Sequence, residues 1–219
     1  MCAGVNIDAM TNSDAATKRS TRDGPYHHGD LRNALVRAAA ELAESGGPEA
    51  VTVRAAARHV GVTPTAAYRH FTNQEELLNA AQEQAQQTLF GAMAETMASL
   101  APDADAITRL GAVGRGYISF ALREPGLFRT AFCGDQMPSP AFDLLAGLLD
   151  ELVDVGFLDP ADRPDAEYAA WSMVHGMASL IIDGVLDDLD DAARDKAIHR
   201  ALTNVERGLA TGPNARDFS

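Results

Sequence analysis

Cysteine is nearly absent: the 219 residues hold two, Cys2 and Cys133. They fall in no metal-ligand spacing, so neither a disulfide framework nor a cysteine-based metal centre is expected, and both thiols are read as reduced. No run of 18 or more apolar residues occurs, so no segment is expected to cross a membrane, although hydrophobic residues make up 46% of the chain. The N-terminus lacks the apolar core of a signal peptide, and the expected compartment is the cytoplasm. A nucleophile elbow, a Walker loop, a zinc-protease helix and a dinucleotide fingerprint are all missing, so no enzyme class is indicated and no cofactor is expected. Strand-like alternation of apolar and polar residues is also missing, which leaves an all-α fold class. Positive charge is short as well: 18 Lys and Arg stand against 31 Asp and Glu, a net of −13.

That deficit is unevenly placed. Residues 1–74 carry 8 basic and 7 acidic side chains, whereas residues 75–219 carry 10 and 24. Phosphate binding depends on local charge rather than on the chain total, so the near-neutral first part remains open to a polyanionic partner. It also holds four of the six histidines (His27, His28, His59 and His70) and the basic cluster Lys18, Arg19 and Arg22. The His27–His28 pair has no third ligand at metal spacing, and no metal site is expected.

What is present is concentrated in Val51–Leu78, VTVRAAARHVGVTPTAAYRHFTNQEELL. Thr52 can cap a helix running from Val53 to about His59. Gly61 can take the positive φ of a tight turn. Thr63 then caps a short helix over about Pro64–Phe71, with proline at the first helical position where its missing N–H costs nothing. Asn73 and Glu76 form a capping-box-like start for a longer helix. Ala56, Ala57, Val60, Val62, Ala67 and Phe71 make the apolar side of this unit. Helix, glycine turn, helix is the helix-turn-helix pattern, whose second helix enters the DNA major groove.

The flanking chain reads as follows. Residues 1–24 are a small, polar, disordered arm. A first helix, capped by Asp30, carries Leu31, Leu35, Ala38, Ala39 and Leu42 on one face and stops at Gly46-Gly47-Pro48. The fourth helix is expected to run to about Ser99, where Pro102 forbids continuation. Further helices are expected over 105–123, from Pro125, over 141–155, 164–186 and 191–209, with a loop at 134–140. The resulting division is a helix-turn-helix domain at 25–75, a helical effector-binding and dimerisation domain at 76–210, and a flexible tail at 211–219, about nine helices in all.

Three segments together resemble the N-terminal domain of the TetR/AcrR family of bacterial transcriptional regulators: YHHGDLR at 26–32, TVRAAARHVGVTPTAAYRHF at 52–71 and EELL at 75–78. The resemblance covers about 55 residues in the family's order and spacing. It implies a recognition helix starting near Thr63. In it, Pro64, Thr65 and Ala66 match base-facing positions, and Tyr68 and His70 match phosphate-touching ones. Thr65 and Ala66 suit a thymine methyl, and the Arg54 guanidinium suits the guanine O6/N7 edge. Thr52, Thr63 and Arg69 complete the expected DNA face. The family's usual lysine at the start of the fourth helix is Gln74 here; it can only donate a neutral hydrogen bond, so a shallower salt dependence is expected.

The second part carries a weaker resemblance, to the family's C-terminal domain subgroup with a Trp…His-Gly motif, in Trp171-Ser-Met-Val-His175-Gly176, Tyr117-Ile-Ser-Phe120 and Glu124-Pro125-Gly126-Leu127-Phe128. It implies a homodimer paired through the last two helices and a small-molecule effector site. Tyr117, Phe120, Phe128, Phe132, Trp171 and His175, with Met173 and Met177 beside them, are the expected ligand-binding residues; the same set could equally be plain core. The function implied is a sequence-specific regulator, a repressor that leaves a double-stranded operator when its effector binds. The alternatives are a helical enzyme, for which the aspartates of Asp183–Asp195 do not recur with a second cluster, and a protein-binding adaptor with a degenerate motif.

Overall fold

The computed structural model describes residues 28–132 and 139–218. The N-terminal arm with its basic cluster, both cysteines, Tyr26 and His27, and most of the expected loop at 134–140 lie outside the described residues.

Nine α-helices make up the described chain, with no strand among them. They are α1 (His28–Gly46), α2 (Val53–Val60), α3 (Pro64–Tyr68), α4 (Gln74–Ala98), α5 (Ala106–Arg123), α6 (Pro125–Ala131), α7 (Pro140–Asp154), α8 (Ala166–Ile182) and α9 (Asp191–Leu209). Short 3-10 turns follow α1 and α9. Most helix starts are set by side-chain caps: Thr52, Thr63, Asn73, Asp105, Ser139 and Asp190 each accept a backbone N–H of the first turn.

The helices enclose two apolar cores, and α4 contributes to both. Leu77, Ala80 and Ala81 close a small core with Leu31 and Leu35 of α1, Ala56 and Ala57 of α2, Ala67 of α3 and Phe71. Further along the same rod, Leu89 and Met93 enter the larger core built by α5 to α9. A straight helix of 25 residues is roughly 37 Å long, so α4 is a rigid strut between the two. Gln86, buried on α4, donates from its side-chain amide to the Ala131 carbonyl and fixes the strut to the end of α6.

α5 crosses α4 at Gly116. A Cβ there would meet the Ala92 carbonyl oxygen and Thr96 Oγ1 at 2.8 Å and Met93 Cα at 2.9 Å. Glycine is what lets the two backbones come this close. On the other side, Arg163 joins α7 to α8, donating to Asp150 at 2.7 Å and pairing with Glu167 at 2.7 Å.

Four boundaries differ from the sequence reading, each for a local reason. α1 begins at His28, so Asp30 lies inside the first turn rather than at its cap. α3 ends at Tyr68; the backbone turns through Arg69 and His70, with the His70 and Phe71 amides both donating to the Ala67 carbonyl. α8 spans Ala166–Ile182 instead of 164–186, because Gly184 takes φ 78° and the Val185 amide returns to the Leu180 carbonyl at 3.0 Å, a C-terminal stop signal that halts the helix. The expected loose tail instead folds back on the turn after α7. The Gly212 amide donates to the Phe157 carbonyl at 2.8 Å, and the Asn214 backbone and side-chain amides donate to Gly156 and Val155.

Candidate nucleic-acid interface

The helix-turn-helix is assembled by local bonds. Thr52 Oγ1 accepts from the Ala55 amide at 3.0 Å and opens α2. Gly61 takes φ 79°, and the Val62 amide returns to the Ala57 carbonyl at 2.9 Å, which turns the chain sharply. Thr63 Oγ1 then accepts from the Ala66 amide at 3.2 Å and opens α3 behind Pro64. Each threonine uses an oxygen lone pair for its cap and keeps its hydroxyl hydrogen to donate outward.

The inner face of the unit is Ala56, Ala57, Ala67 and Phe71, all wholly buried. Alanines at 56, 57 and 67 let α2 and α3 lie close together. Arg32 of α1 places its guanidinium 5.0 Å from the Phe71 ring centre, a cation–π contact that holds the end of the α3 turn against α1. Arg32 ends the YHHGDLR segment, but its contact with Phe71 spans separate elements and is not announced by the pattern.

The outer face carries Thr52, Arg54, Thr63, Pro64, Thr65, Tyr68, Arg69 and Gln74, all exposed. Tyr68 is 42% exposed, a large apolar ring left in solvent. Ala66 and His70 are half-buried, and Ala66 packs against the small core, so part of its methyl surface is already used. Arg109, Arg129, Arg163 and Arg194 in the second part each pair with a carboxylate. Arg54, Arg58 and Arg69 have no carboxylate partner among the described residues, as is also true of Arg115, Arg123 and Arg200 in the second part. The charge of Arg54 and Arg69 is uncommitted on the face that the two caps present.

The start of α4 is less open than a bare helix end. Glu76 accepts from the Thr72 backbone amide at 2.7 Å and from its hydroxyl at 2.8 Å, while Asn73 caps the Glu76 amide. The Thr72 backbone bond, then the hydroxyl bond, hold the Glu76 carboxyl below its usual value. With Glu75 beside it, this end carries negative charge of its own, which opposes a phosphate there.

In the larger core, the expected ligand-binding residues come together as an aromatic cluster. The Tyr117 ring sits edge-on to Phe128 at 5.6 Å and to Trp171 at 5.3 Å, and Phe132 meets His175 at 4.9 Å. Burial keeps the Tyr117 phenol protonated, far above its ordinary titration range. Its hydroxyl shares a hydrogen bond with His175 Nδ1 at 2.8 Å, and burial pushes the His175 imidazole below its ordinary value, toward the neutral form. Phe120 is buried one turn beyond Tyr117, while Met173 is exposed. An adjoining cavity of about 30 Å³ opens between α5, α8 and α9; Tyr117 and Trp171 line it, with Met93, Leu110, Val174 and Leu202. Phe128, Phe132 and His175 stand behind that wall rather than in it. Among the described residues no cluster of metal-ligating side chains occurs, and no helix is long and apolar enough to cross a membrane.

Residues 35–81 match the family described as bacterial regulatory proteins, tetR family. Residues 110–205 match the family described as tetracyclin repressor-like, C-terminal domain. The chain is similar to an uncharacterized HTH-type transcriptional regulator of Mycobacterium tuberculosis, 27% identical over 192 residues, covering 84% of this chain and 85% of that one. Among solved structures it resembles a protein of unknown function from Rhodococcus sp. RHA1, with 28% identity, a TM-score of 0.70, and 85% and 99% of the two chains covered. It shares its fold with a TetR family transcription regulator from Marinobacter aquaeolei, at 19% identity and a TM-score of 0.66, covering 82% and 95%. A capped helix-turn-helix joined by one long helix to an all-helical second part, each matched by its own profile, makes this chain a member of the TetR family of bacterial transcriptional regulators.

Proposed function

We propose that the protein is a sequence-specific repressor that binds operator DNA as a homodimer and leaves it when a small molecule enters the C-terminal cavity. The observation that carries the DNA-binding part is the exposed face of the capped helix-turn-helix: Arg54 and Arg69, without carboxylate partners among the described residues, beside the two capping threonines and an exposed tyrosine. Arg54 and Thr65 are assigned to base edges, and Tyr68, Arg69 and His70 to backbone phosphates. The regulators among the relatives favour this reading over an enzyme or an adaptor.

Pairing is supported by α8. Tyr168, Met173 and Leu180 are exposed on it at 59%, 39% and 43%. Gly176, between them, has open space where a Cβ would stand. A second copy seated on this face would bury these groups and allow close helix approach. One five-residue recognition helix reads too few bases alone, and two-fold pairing sets two of them about 34–36 Å apart, or a multiple of it.

Ligand response follows from α4. Met93 lines the cavity, while Leu77, Ala80 and Ala81 of the same helix hold the DNA-binding core. A molecule that widens the cavity shifts the strut and so the recognition helix. Release requires that the ligand bind the DNA-incompetent arrangement more tightly than the competent one. Gel-shift titration on DNA upstream of the protein's own coding region, at stepped salt, tests the first part. A complex that is sequence-selective and weakened by salt is expected; an enzyme or an adaptor would give none.

A further inference from the structure

The cavity between α5, α8 and α9 has one carboxylate in its wall, Glu206 of α9, and one phenol, Tyr117, whose hydroxyl is bonded to His175. Its neighbours there are aliphatic or aromatic. The carboxylate reaches this position because residue 111 of α5 is glycine: Glu206 Oε1 lies 3.0 Å from where a Cβ at Gly111 would stand. Any larger residue would push the carboxylate away from the cavity's edge. Among the described residues Glu206 makes no hydrogen bond or ion pair. Burial raises its carboxyl pKa, Arg115 and His199 act against that rise, and Asp105 adds to it. Arg115 Nη1 and Nη2 lie 3.5 and 3.9 Å from the same point above Gly111, so its exposed guanidinium stands beside the carboxylate, and His199 is exposed as well; neither makes an ion pair with it.

The cavity is also small. At about 30 Å³ it is far below the roughly 300–1,000 Å³ of ordinary ligand sites. Leu202 explains this: its Cδ2 lies 2.6 Å from where a Cβ at Gly114 would stand, filling the notch that the glycine leaves. A ligand gains room by displacing Leu202, which moves α9 against α5.

Taking the cavity as the effector site, we propose that Glu206 selects the effector's chemical class: a small, mostly apolar molecule carrying one amine. Its apolar body replaces the Leu202 contact, and its ammonium gives the carboxylate the charge-assisted hydrogen bond that it lacks. An anionic molecule of the same size is disfavoured, because it would bring a second negative charge against the half-buried carboxylate.

The chain has a single tryptophan, and Trp171 lines this cavity, so its fluorescence reports binding without any DNA. The full chain is titrated with hexylamine, hexanol and hexanoate, with calorimetry alongside. Hexylamine is expected to bind about tenfold or more tighter than hexanoate, with hexanol between them. Glu206→Gln should bring the amine and the alcohol to similar affinity, and Glu206→Asp should keep the order, which separates the effect of charge from that of folding. Equal binding of hexanoate and hexylamine, an amine preference that survives in Glu206→Gln, or no response to any of the three would each overturn the assignment. Failure here leaves gel-shift behaviour intact, whereas failure of DNA binding leaves these titrations intact, so the two readings are separately exposed.

Discussion

At the scale of single residues, Arg54 is the most exposed commitment. It projects from α2 with no carboxylate partner among the described residues, so truncation removes no internal contact. Arg54→Ala should leave the melting temperature unchanged and cost about 1–3 kcal/mol of operator binding, with relaxed preference at one base position. Binding measured across single-base variants of the operator checks this; unaltered preference would remove Arg54 from base reading. His175 makes a second prediction. Burial holds its folded-state pKa below the ordinary 6.5, so the unfolded chain takes up this proton first on acidification. Its contribution is whole above pH ~6.5 and is lost as pH falls toward the folded value. The melting temperature should drop between about pH 7.5 and 5.5, and His175→Gln, which keeps a hydrogen-bonding partner for Tyr117, should flatten part of that drop. An identical slope in the variant would place the acid sensitivity elsewhere.

Residues differ in how far the sequence announces them. Thr52, Gly61, Thr63 and Asn73 act through bonds to residues within five positions, so their roles can be read from spacing alone. Glu206 and Arg32 act across the fold, on Gly111 and Phe71. Glu206 belongs to no local pattern, and Arg32 stands in the YHHGDLR segment without its partner, so neither contact is visible before the helices are placed. The Tyr117–His175 bond lies between: both residues stand out in the sequence, but their partnership, 58 positions apart, does not.

Among the elements, α4 decides how the molecule works, because it belongs to both cores. Its contact with α5 is as close as backbones allow at Gly116. Gly116→Ala drives a methyl group into the Ala92 carbonyl and Met93, and should destabilise the fold by about 1–3 kcal/mol. Chemical denaturation measures that cost. A neutral result would mean that α4 and α5 can part freely, and would weaken α4 as the path between cavity and DNA. The extents of α4, α5 and α9 were legible because each has a polar cap, a sustained apolar stripe and a clear stop. α8 was overextended because its apolar pattern continues through Val185 and Leu186, and only the positive φ of Gly184 reveals the stop. The end of the chain was misjudged for a related reason: Gly212 and Asn214 look like linker residues but bond to the turn at 155–157.

For the whole molecule, acidity and DNA binding coexist by segregation. The −13 total belongs to the second part, where Arg109, Arg129, Arg163 and Arg194 are tied to carboxylates. On the proposed reading face, Arg54 and Arg69 are uncommitted among the described residues. That face is lightly charged, and the α4 start adds Glu75 and Glu76 rather than a lysine. Under the proposed pairing, affinity comes from two copies acting together rather than from one basic surface.

The most direct test is footprinting of the purified full chain on DNA upstream of its own coding region, with mass measured in solution and salt varied from about 50 to 200 mM. Two protected half-sites related by two-fold symmetry, bound by a dimer whose affinity falls as salt rises, are the predicted result. A single-copy protein that leaves every duplex unprotected at the lowest salt would contradict the account.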